Sequence, residues 1–219
     1  MTNELTQWYL KDYLNNKQDD SKRILRCFLD KTNDKAMVLF IGNNHVNREC
    51  HQQYLWRFPK NWPSKDELLK RIRETALWDV SFDHLDNFEN LYSLVWDWLN
   101  TPRIPQIQQL VIYDIAVHLA YINGERLLPK DVVYIHALPL KAWNTLIKNH
   151  ILNGFKANIP QVQFSRLSPY FNGLSALQIE DLFCELGKSM RRVKYGRASK
   201  NNDINSKIDS IVSRYINFQ

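Results

Sequence analysis

From Gln106 to Ile122 the chain is apolar on most faces of a helix. The run from Tyr113-Asp114-Ile115-Ala116-Val117 onward leaves no broad polar stripe for water, so this segment is expected to be the central buried helix. Asn123-Gly124 ends it, glycine supplying the left-handed residue that closes many helices. A buried central helix dictates its surroundings, because other elements must bury their own apolar faces against it. Only six glycines occur in 219 residues, too few for the tight turns of an all-β chain. The expected fold class is therefore all-α, a multi-helix orthogonal bundle.

The surrounding helices can be read from period and punctuation. Leu5, Trp8, Tyr9, Leu10, Tyr13 and Leu14 form an N-terminal stripe. Ser21 is a candidate cap for a helix carrying Ile24, Leu25, Phe28 and Leu29. Residues Ala36 to Ile41 are apolar throughout, and period does not separate a short strand from a buried helix there. Asn44 to Trp56 reads as helical, and Pro59, Trp62 and Pro63 mark a turn. Ser64 and Glu67 have capping-box spacing before Leu68, Leu69, Ile72, Ala76 and Leu77. Ser81 or Asp83 caps a helix carrying Phe88, Leu91, Leu94, Val95 and Trp98, which stops before Pro102. Leu140 to Leu152 follows with Pro139 in its first turn. Ser175 opens the last core helix, expected to end near Gly187. Asp203 to Phe218 gives an amphipathic helix through Ile204, Ile208, Ile211, Val212 and Tyr215. We expect a helical domain over residues 1–187, then a basic segment and terminal helix over 188–219.

Composition excludes several classes. Hydrophobic residues make up 44 % and charged residues 24 %, values of an ordinary globular protein. Met1-Thr2-Asn3-Glu4 has no basic start and no apolar run behind it, so no secretory signal is expected. The longest apolar run, Ala36 to Ile41, is too short to span a bilayer, and no membrane partner is expected. Cys27, Cys50 and Cys184 have neither disulfide-framework nor zinc spacing. Buried thiols in a cytoplasmic location are expected, with no metal site and no cofactor.

The segment Ile104-Pro105-Gln106-Ile107-Gln108 leads into the apolar helix, which is followed by Gly124, Pro129 and Val132-Val133-Tyr134-Ile135-His136. In that order it resembles the helix-hairpin-helix DNA glycosylase superfamily. The resemblance covers about a sixth of the chain. It implies a helix-hairpin-helix-like core whose turn approaches phosphate. In that motif two glycines let backbone N–H groups reach a phosphate oxygen. Gln106 and Gln108 stand in their places, so any contact would come from amide side chains. The Lys that some members use as a Schiff-base nucleophile maps onto Leu110, and the catalytic Asp maps onto Tyr134. Leucine has no nucleophile, and a phenol with a pKa of about 10 is no carboxylate. The resemblance therefore implies an ancestry without base excision. Tyr113 to Ala116, Val133 to Ala137 and Ile179 to Cys184 are also similar to a group of bacterial all-helical proteins without an assigned activity. Those carry Gly and Thr after the His-Ala step, where this chain has Leu138-Pro139.

The remaining catalytic candidates are Asp114, His118 and His136. Asp114 and His118 lie four residues apart, on one helix face. A carboxylate holding an imidazole is half of a general-base arrangement, and equally an ordinary structural pair. Neighbouring Asp131 takes no motif position. His45 and His51 flank Cys50 at a spacing that does not share a helix face.

Charge is the last signal. The formal net charge is +6, and the stretch from Gly187 to Asn202 holds Lys188, Arg191, Arg192, Lys194, Arg197 and Lys200 without an acidic residue. Everything else is close to neutral overall. With Tyr195 interleaved, this is a candidate polyanion contact, expected to stay extended because it repels itself. The functional expectation is association with DNA or RNA through this segment and the Gln106/Gln108 turn. Two alternatives stand beside it. One is a protein-interaction or structural component presenting Trp56, Trp62 and Trp78. The other is an enzyme of unassigned class using Asp114, His118 or His136.

Overall fold

The computed structural model describes residues 1–17, 20–31, 34–39, 63–99, 107–199 and 203–218. The fold is all-α and multi-helical, with one small antiparallel ladder among the described residues. Contacts divide the chain into two units, residues 1–18 with 130–219, and residues 19–129.

The unit of residues 19–129 is built on the apolar helix expected from sequence. Helices α2 (Asp20–Leu29), α3 (Lys35–Leu39), α4 (Pro63–Thr75), α5 (Phe88–Leu99) and α6 (Ile107–Ile122) belong to it. Ile112, Ile115, Ala116, Val117, Leu119 and Ala120 of α6 have no exposed surface. Helices α2, α3 and α5 pack on it. α6 closes as expected: Gly124 takes a φ of 78°, and Glu125 N–H donates to the Ala120 carbonyl at 2.9 Å. The run from Ala36 is helical as far as Leu39. The cap of α5 is Asn87, whose Oδ1 accepts from Asn90 N–H at 2.9 Å, in place of Ser81 or Asp83. Those two instead bond to each other in the turn before it. α4 opens at Pro63, which puts Ser64 inside its first turn. Arg126 donates to the Phe82 and Leu85 carbonyls, fixing the loop ahead of α5. On α2, Ile24 and Phe28 are buried as expected, but Leu25 and Leu29 are exposed.

The other unit begins with α1 (Thr2–Trp8), which widens into a π-helical turn over Tyr9–Tyr13 and closes at Leu14–Asn16. Strand β1 (Val132–Tyr134) leads to α7 (Ala137–Lys148), then β2 (Gln161–Gln163), α8 (Phe164–Leu167), α9 (Ala176–Lys194) and α10 (Ile204–Tyr215). β1 and β2 run antiparallel, with Val133 opposite Val162 and Tyr134 opposite Gln161. The ladder departs from the purely helical expectation, although Val132-Val133-Tyr134-Ile135 is a β-branched and aromatic run. Trp143, Leu146, Phe171, Ile179, Leu182, Phe183, Leu186, Ile208 and Val212 form the core with Leu5, Trp8 and Tyr9.

Two expectations about α9 change. It does not end at Gly187 but continues to Lys194, through the boundary placed at residue 187. Gly187 serves packing instead: a Cβ there would stand 2.7 Å from the Leu138 carbonyl oxygen. The glycine lets α9 lie against α7 backbone to backbone. α10 packs on both α9 and α1. Cys27 is disulfide-bonded, which corrects the expectation of a thiol there; spacing along a chain does not report nearness in space. The Asn44–Trp56 segment, Cys50, the Pro59–Trp62 turn and the histidines at 45 and 51 lie outside the described residues.

Candidate nucleic-acid interface

The basic stretch is ordered by α9. Ser175 and Gln178 form a reciprocal capping box at its start. Ile179, Leu182, Phe183, Leu186 and Met190 bury one face. The far end is a Schellman turn. Gly196 has a φ of 63°, its N–H donates to the Val193 carbonyl at 3.1 Å, and Arg197 N–H donates to the Arg192 carbonyl at 2.8 Å. The expected extended segment is thus a helix end with a fixed turn. Cations in a last helical turn also favour the negative end of the helix dipole, which is why self-repulsion does not unwind it.

Its six cations have three different fates. Lys188 donates to Glu185 at 2.6 Å. Arg192 grips Asp209 with Nη2 at 2.7 Å and Nε at 3.0 Å. Arg191, Lys194 and Arg197 are exposed, and no acidic group pairs with them among the described residues. Lys200 lies outside the described residues. Tyr195, at the C-cap, is 62 % exposed.

Asp209 anchors this arrangement, a role that sequence reasoning missed. It is buried on α10, and besides Arg192 it accepts from Ser189 Oγ at 2.6 Å and Ser199 N–H at 3.0 Å. Burial alone would raise its pKa, but the bonds from Arg192, Ser189 and Ser199 outweigh that and hold the carboxyl below its usual range. Ser199 Oγ in turn donates to Asp203, which caps α10 through Ser206 N–H at 2.8 Å. The turn between α9 and α10 is therefore tied at both ends. The only sequence signal for it is an Asp placed among the apolar residues of an amphipathic helix.

A second polar seam joins α1 to α9. Tyr9 Oη donates to Asp181 at 2.7 Å, Lys17 pairs with the same carboxylate at 2.7 Å, and Tyr13 Oη donates to Glu185 at 3.3 Å. Burial and the Asp181 charge push the Tyr9 phenol strongly up, so it remains a donor. Burial likewise pushes the Cys184 thiol up, which removes thiolate character.

The catalytic candidates do not assemble. No hydrogen bond joins Asp114 to His118. His118 is fully buried and its Nδ1 donates to the Leu39 carbonyl at 2.9 Å, an assignment that leaves Nε2 unprotonated. Desolvation, with the Arg23 charge nearby, brings the His118 pKa down to about 4. Asp114 keeps partial exposure, yet desolvation raises its carboxyl to about 7. His136 belongs to the other unit, where it is buried as the residue before α7, its pKa lowered by burial to about 4. Tyr134 is buried in β1. Gln108 lies in the first turn of α6; Gln106 and the hairpin turn itself are outside the described residues. Trp78 is half-buried, and Trp56 and Trp62 are outside the described residues.

A groove of about 520 Å³ runs between α1 and α10. Glu4–Arg214 and Asp12–Lys207 ion pairs line it beside Lys11, so most of its charge is already paired within the protein. Among the described residues no cluster of three metal-ligating side chains occurs, and no helix is long and apolar enough to cross a membrane. No protein-family model, curated protein or solved structure matches the chain.

Proposed function

We propose that the protein binds nucleic acid through the turn that ends α9, and that it does so without excising bases. One observation carries this reading: Arg191, Lys194 and Arg197 stand exposed, with no acidic partner among the described residues, on a turn whose backbone is fixed. Elsewhere in the same stretch the structure neutralises its cations, Lys188 with Glu185 and Arg192 with Asp209. Three uncompensated charges on a preorganised support suit phosphate oxygens, and because the turn is already fixed, binding need not order its backbone. The absence of a Lys at Leu110 and of an Asp at Tyr134 supports the non-catalytic part, together with a helix-hairpin-helix ancestry.

The test is binding of a labelled oligonucleotide at low salt by the wild type and by the triple variant Arg191→Ala/Lys194→Ala/Arg197→Ala. The expected result is a loss of at least about tenfold in affinity. Unchanged affinity would end the proposal. Arg192→Ala is unsuitable as a probe, because it breaks the Asp209 network rather than a surface contact.

A further inference from the structure

Resting on that nucleic-acid reading, we infer that the polymer recognised is single-stranded, with Tyr195 as the ring on which one base stacks. Tyr195 is one of the few large hydrophobic residues that the described structure leaves strongly exposed. No hydrogen bond or ring contact holds its side chain against the described protein. Its position is nevertheless fixed. The residue is the C-cap of α9, its N–H bonds to the Arg191 carbonyl, and the Schellman bonds of Gly196 and Arg197 close the turn behind it. A ring offered from a fixed backbone loses little entropy when something stacks on it.

The cations flank that residue along the chain. Arg191 lies one helical turn before Tyr195, Lys194 directly precedes it, and Arg197 follows across the turn. A base laid on the ring would have phosphates leaving on both sides toward positive charge. Duplex DNA cannot use the ring, because its base faces are already stacked inside the helix. A single strand can splay a base onto an aromatic face, and every base has such a face, so the contact is tolerant of sequence. The carbonyl end of α9 also argues for a flexible strand. The dipole there is negative, and a stiff duplex would carry phosphates past it regardless, whereas a single strand can route its phosphates to the side-chain cations.

The experiment compares a labelled oligothymidylate with a labelled hairpin duplex of equal phosphate number, by fluorescence anisotropy on the full chain. Wild type should bind the single strand tighter than the duplex. Tyr195→Ala should weaken single-strand binding by on the order of tenfold, with duplex binding and the salt slope unchanged. Tyr195→Trp should restore it. Equal affinity for both polymers, or an indifferent Tyr195→Ala variant, would overturn the single-strand inference; if the triple cation variant still weakens both, the broader nucleic-acid reading survives. Binding of neither polymer, or binding only to vesicles of anionic lipid, would overturn both.

Discussion

Asp114→Asn should make the protein more stable at alkaline pH and leave it unchanged in acid. Asp114 sits on the buried helix α6 with no hydrogen-bond partner among the described residues, and desolvation lifts its pKa from 3.8 to about 7. A group raised this far binds its proton more tightly when folded. Stability is therefore full below the unfolded pKa and falls as pH climbs from 3.8 to about 7. The interval corresponds to at most about 4 kcal/mol. Because the residue keeps partial exposure, water shares the charge, and about 2 kcal/mol is the expected effect. Asn keeps the shape without the ionisation. Urea unfolding followed by helical circular dichroism should show the two proteins level at about pH 4 and separated by that amount at about pH 8. An Asn variant less stable than wild type at the higher pH would refute the reasoning, since it would mean that the carboxylate is held by a cation.

Other perturbations test other parts of the structure. Gly187→Ala should destabilise by about 1–2 kcal/mol in urea unfolding, despite alanine's helical preference, because its methyl would meet the Leu138 carbonyl at 2.7 Å; a stabilised variant would show that α7 and α9 can separate freely. Asp209→Ala should cost about 3 kcal/mol by stranding Arg192 and Ser189, and limited trypsin digestion should then cut sooner at Arg197 than in wild type. The lowered pKa of His118 gives the opposite pH sign to Asp114: stability is full above 6.5 and declines as pH falls toward about 4. His118→Gln should flatten that acid limb, and acid titration of both proteins by circular dichroism checks it.

The helices were legible where amphipathic period and caps agreed. The helix opening at Ser175, the Asn123-Gly124 stop and the apolar α6 all occur where local chemistry put them. Gly187 misled because a glycine late in a helix serves equally as a terminator or as a close-packing residue, and only the neighbouring α7 decides. The β1–β2 ladder pairs strands distant along the chain: Val132 to Ile135 stood out only as an apolar run, and neither Gln161–Gln163 nor the pairing was legible. The basic stretch was visible as composition alone. Which of its cations remain available depends on Glu185 one turn earlier and on Asp209 in another helix. Asp114 and His118 share the spacing of a pair, yet His118 turns to the Leu39 carbonyl, a partner no spacing rule supplies.

The measurement bearing most directly on the exposed cations of the α9 turn is the slope of log affinity against log salt for a single-stranded oligonucleotide, in wild type and in the Arg191/Lys194/Arg197 triple alanine variant. Each phosphate that the variant no longer neutralises should make the slope shallower by about 0.7, so the two slopes should differ by about 2. Parallel lines would contradict the proposal that these three side chains meet phosphate.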